Sequence, residues 1–332
     1  MFKDKTILIT GGTGSLGVAL TKRLLSLDVK QIRIFSRNEF KQISMESEIQ
    51  DNRLRFLIGD VRDQKRLKRA IEDVDIVFHA AAMKHVPKVE YNPFEAIKTN
   101  VEGSQNVIEA CLENNVERAI CIGTDKAVSP LNTYGATKLL MEKLFVNAKQ
   151  YSNPKKHPTK FIAVRYGNVF GSSGSVIPKF IRQLKNKEKL TITDGKMTRF
   201  SITMDQALDF ILKATELGNG TEIFIPKLKS YDLNQVKNIL FDIFEKTDSK
   251  IIGIRPGEKL HETLINIDEM RSAWLHDDVY MILKDELSNN YIQETYPSIS
   301  KLDISNSYSS DNSEKLSDDE LKKTILDSNM IN

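Results

Sequence analysis

The strand-forming run Thr6–Thr10 passes without a break into Gly11-Gly12-Thr13-Gly14-Ser15-Leu16-Gly17, and a helical pattern follows through about Leu27. Few stretches restrict a fold more. Gly11, Gly14 and Gly17 recur every third residue. They allow a tight turn and a close approach of backbone to a pyrophosphate at a helix N-terminus. Such a pattern is weak alone and gains weight from its context, a strand before it and a helix after it. The bland reading is a glycine-rich loop. The context favours a dinucleotide site.

The same alternation repeats along the first half. Strands are expected at residues 32–35, 54–58, 76–78, 119–122 and 160–166, with helical patterns between them. Alternation of this kind specifies an α/β fold, a doubly wound parallel sheet with helices on both faces. Ligands bind such sheets beyond the carboxyl ends of the strands. Gly11–Gly17, Ser36-Arg37, Asp60, Ala80 to Lys84, Thr124 to Lys126 and Asn168 all follow strand ends. They are therefore expected to converge on one edge of one sheet.

The second strand ends in Ser36-Arg37-Asn38-Glu39-Phe40-Lys41, where an NAD site usually has Asp or Glu. A guanidinium matches a 2′-phosphate, so NADP is expected. A solvated loop arginine is the alternative. Asp60 is placed either to bond an adenine amino group or to hold a turn, and Asp63 reads as a helix N-cap. The small residues of His79-Ala80-Ala81-Ala82-Met83-Lys84-His85 would let that loop cross a cofactor, with Lys84 projecting beyond it. His79 and His85 are expected to be structural, and Asn100 to be a helix-packing amide.

Thr124-Asp125-Lys126 ends the apolar strand at 119–122, and Tyr134-Gly135-Ala136-Thr137-Lys138 opens a helix after the start signal of Asn132. Tyr134 and Lys138 are four apart and so share a helix face. An ammonium beside a phenol favours the phenolate, making Tyr134 a candidate base with Lys138 lowering its pKa. The alternative is an ordinary amphipathic helix with a solvated lysine.

Beyond Asn168 the pattern turns irregular. Residues 1–170 read as the dinucleotide-binding domain, with 200–228 returning to it. Residues 171–300 read as a smaller mixed α/β lobe, in which 255–262 opens a short helix. Residues 301–332, rich in Ser, Asp, Asn and Lys, read as a polar, partly ordered tail. At 40% hydrophobic and 28% charged the chain is globular, and a net charge of +3 on 332 residues gives no reason to expect nucleic acid as a partner. Cys111 and Cys121 sit in apolar segments, as buried hydrophobes rather than a bridge or metal site, which suits a cytoplasmic location. No metal site, leader segment or membrane-spanning run is expected.

Taken together, the chain resembles the extended short-chain dehydrogenase/reductase superfamily from residue 3 to about 285. The glycine loop and Tyr134-x-x-x-Lys138 carry that assignment. Further stretches resemble one branch, the UDP-N-acetylglucosamine 4,6-dehydratases that invert C-5. These are Ser36 to Glu39, Ala82 to Pro87, Thr124 to Ala127, Arg165 to Val169, Gly174 to Pro178, Met197 to Phe200 and Arg255 to Glu262. The resemblance implies Tyr134, Lys138, Thr124, Asp125 and Lys126 as catalytic residues. Tyr134 takes the C-4 hydroxyl proton, and Lys126 removes and returns the C-5 proton once burial has freed its amine. Asp125 protonates the departing C-6 hydroxyl.

The cofactor implied is NADP. Its contacts would come from Gly11, Thr13, Gly14, Ser15, Leu16, Gly17, Ser36, Arg37, Asn38, Lys41, Asp60, Val61, Ala80, Ala81, Lys84, Tyr134 and Lys138. The substrate, UDP-N-acetylglucosamine, would meet Lys84, Asn168, Val169, Ser173, Thr198, Arg199, Arg255 and Glu258. Lys126 stands where retaining dehydratases carry Glu, which favours inversion. The family also implies a homo-oligomer, dimer or hexamer. A nucleotide-sugar 4-epimerase, a retaining dehydratase and a non-catalytic NADP-binding scaffold are the competing readings.

Overall fold

The computed structural model describes residues 1–153, 155–171, 175–302, 306–328 and 330–331. Its centre is a sheet of ten strands. Strands β1 (Thr6–Thr10), β2 (Gln31–Ser36), β3 (Leu54–Ile58), β4 (Ile76–His79), β5 (Arg118–Ile122) and β6 (Lys160–Val164) run parallel in the order β3-β2-β1-β4-β5-β6. That is the doubly wound order, with its crossover point between β1 and β4.

Alternate residues serve opposite faces, as strand geometry requires. Ile7 and Ile9 of β1 join one core, and Leu8 joins the other. Ile120 and Ile122 of β5 are divided from Ala119 and Cys121 in the same way. Both faces are covered, so all five residues of β1 are buried. The two cysteines are free and buried within these cores.

Two elements between residues 204 and 226 pack onto the large sheet and its helices. The helix Met204–Leu217 packs beside α1 (Ser15–Leu25), with Arg23 bridging to Asp205 and Asp209. The strand Ile223–Pro226 pairs in parallel with β6. The sheet then extends further than expected. Val279–Ile282, Ala273–His276 and Ser300–Lys301 add to it antiparallel, so part of 171–300 belongs to the large domain. Their short hairpin pairing depends on a partner edge far away in sequence, which no local pattern reveals.

The smaller lobe has its own core. Phe180, Ile181, Val236 and Leu240 from the helices Val176–Lys185 and Leu233–Ile243 meet Leu321 and Ile325 of the helix Asp318–Asp327. Of the segment 301–332, read as a polar, partly ordered tail, this helix is thus packed into the small lobe. Tyr308–Ser309 also pairs with Thr263–Ile265. Segment 255–262, expected to open a helix, is instead an irregular turn leading into Thr263–Ile265. Proline and glycine at 256 and 257 suit a turn better than a helix.

One buried ionic knot links the layers. Arg165 is fully buried and is held by Glu142 at 2.6 and 3.0 Å and by Glu269 at 2.8 and 2.9 Å. It ties the helix Thr133–Tyr151 to the end of β6. A buried charge persists only when paired and hydrogen-bonded in this way. Among the described residues no helix is long and apolar enough to cross a membrane.

Candidate active site

The strand ends open onto a cleft of about 470 Å³. All seventeen residues expected to contact a cofactor line it, from Gly11 through Arg37, Asp60 and Lys84 to Lys138. Each arrives from a strand's carboxyl end, the loop after it, or the first two turns of a helix. The glycines divide their labour. Gly11 has φ +66°, and a Cβ there would lie 2.8 Å from Ala81 Cα. A Cβ on Gly17 would collide with the Gly12 carbonyl, so this glycine serves helix-to-strand packing. Gly14 is freer, its nearest neighbour being Gly11 O at 3.2 Å. As the N-cap of α1 it supplies no side-chain hydrogen bond. The first amides of that helix are therefore uncapped donors, which suits an anion.

Arg37 stands exposed at the end of β2, with Nη1 3.4 Å from Asp60. Asp60 is bound more closely by Arg62, at 2.7 and 2.9 Å. Burial opposes ionisation of Asp60, but the Arg62 contacts outweigh it and hold the carboxyl below its ordinary value. Asp63 caps its helix, as expected, by accepting from Arg66 N. His79 is fully buried between Thr10 Oγ1 and Ser104 Oγ, at 2.7 and 3.0 Å. Asn100 lies in a π-helical turn, Ile97–Glu102, and bonds both backbone groups of Met83 and Thr137 Oγ1. It thereby fixes the loop carrying Lys84.

The reactive centre is built from two segments forced together. Thr124 caps a short 3₁₀ turn, Asp125–Ala127. Asn132 caps the helix Thr133–Tyr151 through Gly135 N and donates to Gly257 O. A Cβ on Gly135 would collide with the Lys126 carbonyl, so only glycine lets helix and turn touch. Asp125 is 1% exposed and accepts from Thr124 Oγ1 at 2.8 Å. Lys126 Nζ donates to Asp125 Oδ1 at 3.1 Å and Asn168 Oδ1 at 2.9 Å, and lies 3.5 Å from Glu262 Oε1.

These contacts overturn two electrostatic expectations. Burial does pull the Lys126 amine down, but the charges of Asp125 and Glu262 prevail and raise it above its ordinary value. Lys138 does not depress Tyr134. Its ammonium is spent on Ile122 O at 2.6 Å and Met141 Sδ at 3.1 Å. Burial pushes the Tyr134 phenol up to about 12, against the opposing pull of Lys126 and of a hydrogen bond with Thr124.

The candidate substrate residues fall into groups. Lys84, Asn168 and Val169 line the cleft. Thr198 is buried, bonded to His261 Nδ1 and Ser310 Oγ at 2.8 and 2.7 Å. Arg199 braces the backbone of Thr198, Lys259 and Leu260 and approaches Glu262 at 3.8 Å. Arg255 and Glu258 pair with each other at 3.6 Å outside the cleft lining. Ser173 lies outside the described residues. Glu262, 3% exposed beside Lys126, was not among the residues read as functional. Its signal was its place in the Arg255 to Glu262 stretch.

A doubly wound sheet with a glycine loop, a Tyr-x-x-x-Lys helix and an Asp-Lys turn at its carboxyl edge defines a short-chain dehydrogenase/reductase of the extended type. Comparison with known proteins agrees. The family model described as polysaccharide biosynthesis protein matches residues 7–284, and the chain belongs to that family. A Campylobacter jejuni protein named UDP-N-acetylglucosamine 4,6-dehydratase (inverting) is 49% identical over 85% of this chain and 84% of its own length. A Rickettsia conorii protein named UDP-glucose 4-epimerase is 42% identical over 98% of this chain and 96% of its own. The crystal structure of Pen from Bacillus thuringiensis superposes with a TM-score of 0.90 at 38% identity, covering 99% of both chains.

Proposed function

We propose that this protein is an NADP-dependent dehydratase that removes water across C-5 and C-6 of UDP-N-acetylglucosamine and inverts C-5. The observation that carries this reading is the hydrogen-bonded Asp125–Lys126 pair, 3.1 Å apart and beside Tyr134. The name of the Campylobacter relative supports the substrate and the stereochemistry.

The uncapped amides after Gly14, Arg37 at the end of β2 and the cleft volume fit a dinucleotide phosphate. When bound, it would supply a carrier that takes a hydride from C-4 and gives one to C-6. Tyr134 takes the C-4 hydroxyl proton, assisted by its Thr124 hydrogen bond and the Lys126 charge. Lys126 must be a free amine to take the C-5 proton, and Asp125 must hold a proton to release the C-6 hydroxyl as water. One proton moved along their shared hydrogen bond meets both needs. Lys126 then returns a proton to C-5 from the opposite face.

The proton count leaves a residue. After one cycle Tyr134 holds one proton more and Asp125 one fewer. The Thr124 hydroxyl is hydrogen-bonded to both, so it lies on a path that resets them.

A second reading, a 4-epimerase, is favoured by the near full-length match to the Rickettsia relative. NMR of UDP-N-acetylglucosamine incubated with the protein in heavy water separates them. The dehydratase gives a 4-keto-6-deoxy sugar of L-arabino configuration with deuterium at C-5. A product changed only at C-4 would establish the epimerase, and a xylo product would refute inversion.

A further inference from the structure

The Lys126 amino group meets partners from three separate segments, two as hydrogen-bond acceptors and one as an ion pair. Asp125 comes from its own turn, Asn168 from the loop after β6, and Glu262 from the segment leading into Thr263–Ile265. Glu262 has no part in the proton transfers of the dehydration, yet it is nearly fully buried. Its backbone N–H donates to Ser310 Oγ at 2.9 Å, and its carbonyl accepts from Ser310 N at 2.8 Å. Its Oε1 faces Lys126 at 3.5 Å and Arg199 Nε at 3.8 Å, and its Oε2 has no hydrogen-bond partner among the described residues. A buried carboxylate oxygen without a partner is costly. Its retention is accounted for by the two cations that the same carboxylate faces.

We infer that Glu262 is a positioning residue for the Lys126 base, holding that amino group and the Arg199 guanidinium on one buried carboxylate. The assignment rests on the dehydratase reading for its purpose and on geometry for its substance. The Glu262 carboxylate stays beside Lys126 while Asp125 gives up and regains its proton. It also fixes the direction in which the proton is delivered, since two hydrogen bonds and an ion pair from three segments pin one nitrogen. The charged and titratable groups facing Lys126 are Asp125, Tyr134, Arg199, Tyr231, Lys259 and Glu262. Of these, only Asp125 and Glu262 are carboxylates, and Asp125 is spent in the reaction.

The test follows the titration of Lys126 itself by carbon NMR of the full chain carrying labelled lysine, with the signal assigned by its loss in Lys126→Met. Glu262→Gln removes the charge and keeps the shape. It should lower the Lys126 titration by at least about one pH unit, raising the free-amine fraction about tenfold at a given pH. Glu262→Asp withdraws the charge by one methylene and should fall between the two. It also keeps the test decisive if the glutamine variant does not fold. Either folded variant titrating where the unaltered chain does overturns the assignment. This readout needs no turnover, so it stands apart from the sugar NMR that decides the dehydratase reading itself.

Discussion

Thr124 has the smallest side chain in the reactive centre and bears on two proton donors at once. Replacing it by Val removes the hydroxyl at nearly constant volume. If the hydroxyl resets Tyr134 and Asp125, Thr124→Val completes its first turnover much faster than its later ones, while Thr124→Ser cycles normally. Rapid-quench measurement of product per site checks this, and equal slowing of first and later turnovers would refute it. Arg37 gives a second prediction at this scale. A charge-assisted bond to a phosphate contributes about 1.5–3 kcal/mol, so Arg37→Ala should weaken NADP about 10- to 100-fold and leave NAD nearly unchanged, as read by calorimetric titration. Asp125, Lys126, Tyr134 and Lys138 could be singled out in the sequence as candidates because their spacing is local. Their protonation was not. Lys138 is four residues from Tyr134 yet bonds the Ile122 carbonyl, and Lys126 meets, besides its neighbour Asp125, a glutamate 136 positions later, facts that only folding creates.

Among the elements, β4 contributes an acid-sensitive joint. His79 is buried against Phe145 between two hydroxyls, and burial takes its pKa down to about 3 from 6.5. The unfolded chain therefore binds one more proton between those values. Stability from this residue is complete above pH 6.5 and falls as pH drops towards 3, by up to about 1.4 kcal/mol per pH unit. Denaturant titrations of His79→Gln should be flatter over that window; an unchanged slope would count against the burial argument. The helix Asp318–Asp327 gives a packing test. Leu321 and Ile325 are fully buried in the small lobe. Leu321→Ala should cost about 2–5 kcal/mol in chemical denaturation, whereas a loose tail would lose nothing. This element was within reach of the sequence. Ser317 and Glu320 form a capping box, and Leu321 and Ile325 are four apart. Its polar surroundings masked that signal.

For the whole molecule, the parallel sheet was readable because strands buried on both faces are continuous apolar runs. The antiparallel extension by residues 273–301 was not, since those strands are short and pair with partners chosen by the tertiary fold. A cleft assembled from so many strand ends couples binding to global stability. Dinucleotide at about 100 times its Kd should add about 2.7 kcal/mol, seen as a rise in Tm that grows with concentration. A Tm indifferent to NADP and NAD would remove the cleft as a dinucleotide site.

The grip of Ser310 on Glu262, 48 positions apart, also orders events in time. A ribosome makes every residue of the glycine loop, the Asp-Lys turn and the tyrosine helix long before it reaches Ser310. A nascent chain stalled near residue 300 would then hold its dinucleotide-binding edge but lack the bracket behind Lys126. Such stalled chains should capture the dinucleotide and leave the sugar untouched.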